Sequence, residues 1–455
     1  MTGGPPTGGP TPDGSTRAGA SPGVAPPGLR VVLDARPLQD PDRSPVTARY
    51  LAGLLGAFDA APLAGESFAL LLQSDLEDPT TALRHLPVVG RRLLPPTRLL
   101  RSAALGVDPF LLRGASLGVA WHAERSGAAG AVYHAAAGAA PLFSRLPLVV
   151  TLLDLAPWEL PGAFQRGPAS RFGQRLRRRL LRDAAAIIVV APAVARLARR
   201  LLRVPADRIH VVPLAPDPAF VDAGAAVLRT SGTADGAGTG GDDAVDGDAE
   251  RRRLGLPERY LVYVGRYDAR HDVGTLLRAL GLLAAQHRPR GLRGDTPWPP
   301  RILLAGASPD DRAALARAAG RAGVGDALVY APALPPERLA RLVAGARAAI
   351  QPAISDAAGL AALDAIAAGV PLVATAVGAL PDVVGAAGIV VEPGDAARLA
   401  AALRTVWSDE RVHAGLRDAA VERAASGAWT WADVAAATRR VYAAAGVRAG
   451  SDRTA

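Results

Sequence analysis

The sequence predicts an α/β protein of two parallel-sheet domains, and three observations carry that expectation. Short apolar runs of strand character recur along the chain, separated by stretches of helical sequence, the order that builds parallel sheets. The clearest unit runs from Ile350 to Pro381: an apolar strand end at Ala348–Ile350, a polar turn at Ser355 and Asp356, a helix from near Gly359 to the Gly369 stop, and a second strand at Pro371–Ala374. Finally, 455 residues suffice for two cores, and a Gly-, Ala- and Asp-rich stretch at 221–250 divides the chain.

Composition narrows the class. Hydrophobic residues make up 49% and charged residues 21%, as in a globular protein. There is no cysteine, which excludes disulfides and thiolate sites. Lysine is absent too, so every fixed cation is arginine. The net charge of +10 favours anionic partners such as nucleotides or acidic lipids. The apolar runs are too short to span a bilayer, and the amino terminus lacks the charged start and apolar core of a signal peptide. A cytoplasmic location follows as the expectation.

In chain order, residues 1–28 read as a disordered leader with little to bury. The first domain is expected over 29–216, opening with the strand Leu29–Asp34, a polar loop to Pro45 and a helix carrying Arg49 and Tyr50. Phe68–Leu72, Val132–His134, Leu148–Leu153 and Ala186–Val190 are further strands. Arg171–Arg182 is a basic amphipathic helix, with Phe172, Leu176 and Leu180 at every fourth position. Two readings fit it: a solvated helix docked by its apolar stripe, or attachment to an anionic membrane surface. Nucleic acid is not expected, because aromatics do not interleave with the arginines. Residues 221–250 read as a flexible insertion, whose Asp246-Gly-Asp248 matches a metal-binding spacing without a strand end to hold it. No metal is therefore expected at that pair. The second domain is expected over 251–425, with strands at Tyr260–Val264, Arg301–Gly306, Ala327–Tyr330 and Ala348–Ile350. A helix over 426–446 then closes the first domain.

Function in an open parallel sheet gathers where strand carboxyl ends meet helix amino ends. After Ile350 that point holds Asp356, then Ala357, Ala358 and Gly359, whose small side chains leave room for an anion at the backbone N–H groups of the helix start. Asp364 follows about two turns beyond Asp356, on roughly the same face. An ordinary amphipathic helix with two solvated acids fits these residues equally well.

The run from Asp356 to Gly369 resembles the donor-binding signature of the family-4 glycosyltransferases, Glu-Gly-Phe-Gly-Leu-Pro-x-Leu-Glu-Ala-Met-Ala-x-Gly. Spacing is kept, but both glutamates are aspartates (Asp356 and Asp364) and the Phe is Ala358, so the donor motif is degenerate. Tyr263-Val-Gly265-Arg266-Tyr-Asp-Ala-Arg270-His271 resembles the family's Tyr-Val-Gly-Arg-x-Asp-x-Arg-Lys, with His271 at the lysine position. Thr151–Pro157 is similar to Thr-x-His-Asp-Leu-x-Pro, with Leu153 at the histidine and Asp154 retained; His122 and His134 are the nearest other histidines. Thr47-Ala-Arg49-Tyr50 resembles a Gly-x-Gly-Arg-Tyr helix start that has lost its glycines.

The resemblance implies a GT-B architecture, two Rossmann-like domains facing across a cleft. It also implies a retaining, metal-independent transfer of a hexose, with mannose from a guanosine diphosphate donor the leading case. The acceptor would be a hydroxyl in a glycan or a lipid-linked compound of cell-envelope polysaccharide synthesis, at the inner membrane face, and no cofactor is implied. In this reading Arg266, helped by Arg270 or His271, neutralises the leaving diphosphate. Gly265 positions Arg266, and the N–H groups of Gly359 and Leu360 cradle the phosphates. Asp364 takes the ribose hydroxyls and Asp356 those of the sugar; Asp356 and Arg266 are the catalytic candidates. Arg49, Tyr50 and Asp154 line the acceptor side. The accumulated departures motivate an alternative, a non-catalytic nucleotide-sugar binder or scaffold subunit.

Overall fold

The computed structural model describes residues 29–96, 104, 106–114, 130–136, 140–232, 242–426 and 429–454. Its strands form two all-parallel sheets. The first has seven: β1 (Leu29–Asp34), β2 (Ser67–Gln73), β3 (Val88–Leu94), β4 (Gly130–Ala135), β5 (Leu148–Thr151), β6 (Ala186–Val189) and β7 (Ile209–Val211), in the order β3-β2-β1-β4-β5-β6-β7. The second has six: β8 (Leu261–Val264), β9 (Ile302–Ala305), β10 (Leu328–Tyr330), β11 (Ala348–Gln351), β12 (Leu372–Thr375) and β13 (Gly388–Val391), in the order β10-β9-β8-β11-β12-β13. Helices cover both sheets, so the α/β class and the pair of Rossmann-like domains stand as expected. Central strands such as Val31–Leu33 and Ile302–Leu304 are buried, which is why they read as unbroken apolar runs.

In each sheet the strand order reverses at one place, between β1 and β4 in the first and between β8 and β11 in the second. Crossovers leave to opposite sides of such a point and open a crevice at the strand carboxyl ends. In the second sheet that crevice lies between the loop after Val264 and the loop after Gln351.

Three expectations change. Residues 221–250 are not a loop where described: helices run over Pro218–Gly232 and Asp242–Arg253. Alanine, the best helix former, supplies much of the stretch, and Phe220 and Ala223 anchor the first helix in the second domain's core. Gly224 lies so close to the helix Leu360–Ala367 that a Cβ there would sit 2.5 Å from the Ala367 carbonyl oxygen. Asp246 and Asp248 therefore lie on a helix, where Asp248 meets Arg251 at 3.1 Å. On the basic helix, Pro168–Arg182, Leu180 is buried but Phe172 is 58% exposed, so the apolar stripe is shorter than its spacing implies. The expected leader, 1–28, and His122 lie outside the described residues.

The final helix, Trp431–Thr454, packs on the first domain. Trp431 Nε1 donates to the Pro216 carbonyl, Arg439 pairs with Glu66 at 2.7 Å, and Tyr442 Oη lies 2.7 Å from His134 Nδ1.

Candidate functional site

The carboxyl end of β8 delivers Gly265 and Arg266 to the crevice. A Cβ on Gly265 would lie 2.5 Å from Tyr263 Oη, which donates to the Arg266 carbonyl at 2.6 Å, so a side chain here would break the turn that aims Arg266. Arg266 Nε donates to Asp311 at 3.0 Å, and its Nη1 donates across the cleft to the Asp42 carbonyl at 3.1 Å. Asp268, unassigned in the sequence reading, organises the rest of the loop. One of its oxygens accepts from the Arg270 backbone N–H at 2.9 Å and lies 2.8 Å from His271 Nδ1; the other accepts from the Arg270 guanidinium at 2.7 Å. Burial opposes the charge on Asp268, but His271 and Arg270 outweigh it and hold the carboxyl well below the usual range. The Arg270 carbonyl in turn accepts from the Ile354 and Ser355 N–H groups, joining the two loops of the crevice.

The second loop closes around Asp356. Its carboxylate accepts from the N–H groups of Ala358 at 3.1 Å and Gly359 at 2.8 Å, closing the turn that leads into the helix beginning at Leu360. Gly359 has φ +63°, the left-handed region that favours glycine. Gly378, at φ +51°, lies beneath: a Cβ there would fall 1.8 Å from the Asp356 carbonyl oxygen. Ala357, Ala358 and Leu360 pack into the apolar core shared with the first domain. The expected opening for phosphates is therefore filled in this conformation: the Gly359 N–H is bonded to Asp356, and Leu360 is buried.

Asp364 is 4% exposed and saturated. Arg49 reaches it from the first domain with both guanidinium nitrogens, Nη2 at 2.5 Å from Oδ1 and Nη1 bonded to Oδ2. The Asp217 N–H donates to Oδ1 at 3.0 Å. Burial opposes the charge on Arg49, but Asp364 outweighs it and raises the guanidinium pKa. Instead of facing ribose hydroxyls, Asp364 joins the two domains here.

Among the acceptor-side candidates, Asp154 faces the cleft and meets Arg270 at 3.2 Å. Tyr50 does not; it is 1% exposed inside the first core, with its Oη 3.1 Å from Thr151 Oγ1. Adjacent helix positions diverge by about 100°, so Arg49 on the cleft sends Tyr50 inward. His134 belongs to the same buried chain, its Nε2 2.8 Å from Thr151 Oγ1, and burial pushes its pKa down to about 3. It is a neutral core residue, and Leu153 is buried where a cleft histidine would stand.

The sequence reading missed three first-domain groups beside Asp154. Glu159 accepts a hydrogen bond from Ser355 across the cleft, and its carboxyl is raised by burial, with Asp154 and Asp356 adding to the shift. Trp158 carries the Arg177 guanidinium on its ring face, with Cζ 4.6 Å from the centroid. Nothing in the linear pattern separates Arg177 from the arginines around it; only its helix face does.

Comparison with known proteins places these features. Residues 258–409 match the family described as "Glycosyl transferases group 1", and residues 72–220 match "Glycosyltransferase Family 4". A D-inositol 3-phosphate glycosyltransferase of Streptomyces avermitilis is 34% identical over 201 residues; the match spans 43% of this chain and 42% of that protein. Among solved structures, a sucrose-phosphate synthase from Thermosynechococcus elongatus superposes with a TM-score of 0.64 at 19% identity, covering 91% of this chain and 98% of that one. Anabaena HepE in complex with UDP superposes with a TM-score of 0.59 at 17% identity, covering 90% and 97%. These likenesses are to the GT-B fold.

Proposed function

Because the chain belongs to the family-4, group 1 glycosyltransferases, we propose that it transfers a hexose from a nucleoside-diphosphate sugar to a hydroxyl acceptor, with retention and without a metal. The observation that carries the reading is the convergence of Arg266, Arg270, His271 and Asp356 at the strand-order reversal of the second sheet. Arginines there can neutralise the charge that develops on a departing diphosphate, the largest electrostatic demand of the reaction. The UDP-bound neighbour supports a nucleotide donor, and the inositol phosphate relative supports a polyol acceptor. A guanosine-linked mannose is the donor we would test beside uridine and adenosine forms.

In this reading the described conformation is closed and ligand entry opens the cleft. Asp364 then exchanges Arg49 for the ribose hydroxyls, and the N–H groups at Gly359 and Leu360 turn to the diphosphate. Asp356 then holds the sugar hydroxyls, and Asp154 faces the acceptor. The exposed arginines of Pro168–Arg182, namely Arg171, Arg175, Arg178, Arg179 and Arg182, share the helix with the exposed Phe172 and would rest on an anionic membrane at the cytoplasmic face. Among the described residues no helix is long and apolar enough to cross a membrane.

Calorimetric titration with UDP, GDP and ADP, each with and without its sugar, tests the donor reading. We expect selective micromolar binding of one of them, weakened about tenfold or more in Arg266→Ala. Binding of none by the folded chain would overturn it. The saturation of Asp364 favours one second reading, a nucleotide-sugar binder or scaffold that does not turn over. Asp364→Ala separates the two, since a transferase should lose most turnover and a scaffold should keep its partner.

A further inference from the structure

Among the described residues, three buried side-chain atoms of the first domain have no hydrogen-bond partner: Trp158 Nε1, Gln174 Oε1 and Arg177 Nε. Trp158 comes from the short helix Ala156–Glu159, and Gln174 and Arg177 from Pro168–Arg182, where a three-residue spacing sets them on one face. Gln174 is 5% exposed. The Arg177 guanidinium carbon lies 4.6 Å from the Trp158 ring centre, so a cation and an indole are brought together, with the Gln174 amide on the same helix face as Arg177.

Arg177 differs from the other arginines of its helix. The others are exposed, whereas its Nε is buried and burial pushes its pKa down; among the described residues it has no carboxylate within ion-pair distance. Asp154 is the carboxylate whose charge reaches it, and Asp154 is already committed to the Ala156 N–H at 2.9 Å and to Arg270 at 3.2 Å. A buried donor without a partner is destabilising, and a buried cation without one more so. The unpartnered Nε of Arg177, beside the unpartnered Trp158 Nε1 and Gln174 Oε1, points to a partner that arrives from outside.

We propose that Arg177, Gln174 and Trp158 form an acceptor subsite that recognises a hydroxyl compound through an oxyanion it carries, a phosphate or a carboxylate. The guanidinium and the indole N–H donate to the oxyanion, and the Gln174 carbonyl accepts from a hydroxyl of the same molecule. The assignment of these residues to the acceptor rests on the transferase reading; the oxyanion site itself does not. No bond is made or broken at this subsite; it orients the acceptor toward the crevice that Asp154 borders.

The test is calorimetric titration of the full chain with inorganic phosphate, acetate and, as the neutral control, glycerol. Wild type and Arg266→Ala should bind one oxyanion saturably with equal affinity, and Arg177→Gln should bind it at least tenfold more weakly, the loss of one charge-assisted contact. Glycerol should not bind with comparable affinity, and the tighter of phosphate and acetate names the anion. Arg177→Lys, which keeps the charge, should recover part of the binding and serves if Arg177→Gln does not fold. Equal binding by wild type and Arg177→Gln, or saturable binding of neither oxyanion by wild type, overturns the subsite. The two readings fail separately. Nucleotide binding with unchanged phosphate affinity in Arg177→Gln leaves the donor site and removes the subsite. Phosphate binding that depends on Arg177 in a chain that binds no nucleotide leaves the subsite and removes the transferase.

Discussion

Asp268 shows how much one carboxylate can arrange. It accepts from the Arg270 backbone and guanidinium and lies 2.8 Å from His271 Nδ1, so the Arg270 and His271 side chains are held by the same carboxylate. Its folded pKa lies below the ordinary aspartate value, so its contribution to stability is complete above about pH 4 and is lost as pH falls through the lower folded value. Asp268→Asn should therefore cost about 1–2 kcal/mol at pH 7 and progressively less as pH falls from about 4 to about 2, with part of the acid sensitivity removed. Urea unfolding across that range measures it, and equal loss at both ends would show that the charge is not what matters. Gly378 makes a second point at this scale. Any side chain there meets the Asp356 carbonyl, so Gly378→Ala, which at a compatible glycine would stabilise by up to about 1 kcal/mol, should here destabilise by more than that and loosen the Asp356 turn. Arg49 was legible as a cleft residue from its motif. Its partner was not, because Asp364 is 315 residues away and only the approach of two domains brings them together.

Elements were legible to the extent that burial wrote them into the sequence. Strands buried on both faces announced themselves as apolar runs, and both sheets follow from them. β3 did not, because Val88–Leu94 is an edge strand whose middle residues, including Arg91 and Arg92, are exposed. The helices within 218–253 were hidden by a composition of Gly, Ala and Asp that suggests disorder, although Ala favours helix and Phe220 ties the stretch to a core. The basic helix Pro168–Arg182 carries two roles on two faces: Gln174 and Arg177 turn inward, while Arg171, Arg175, Arg178 and Arg179 are exposed. That separation yields a prediction. Replacing Arg175, Arg178, Arg179 and Arg182 by Gln should abolish most sedimentation with phosphatidylserine vesicles at low salt while leaving oxyanion binding unchanged. A wild-type chain that does not sediment with such vesicles would end the membrane reading.

At the scale of the whole molecule the chain is fastened across its own cleft. Arg49 meets Asp364, Arg266 meets the Asp42 carbonyl, Arg270 meets Asp154, Ser355 meets Glu159, and the Ala193 N–H meets Asp382 at 3.2 Å. Ala357 and Ala358 sit where the related signature has Gly and Phe, and these small side chains let the second domain pack directly on the first core. Arg266, Arg270 and Asp364, each placed on the donor by the family resemblance, thus bond to first-domain partners in the described conformation. A donor that uses them must displace those partners, so its net affinity is its contact energy less the closure it undoes. Arg49–Asp364 is the most buried of these links, and a charge-assisted pair of this kind contributes about 1.5–3 kcal/mol. Arg49→Ala should therefore enlarge the radius of gyration measured by X-ray scattering and strengthen binding of the preferred nucleoside diphosphate severalfold. Asp364→Asn should open the molecule similarly but weaken nucleotide binding, because it removes the acceptor for the ribose as well as the latch. Opposite effects of the two variants would identify Asp364 as shared between closure and donor. Weaker binding in both, with unchanged scattering, would mean that Arg49 touches the donor and that the pair does not hold the domains together.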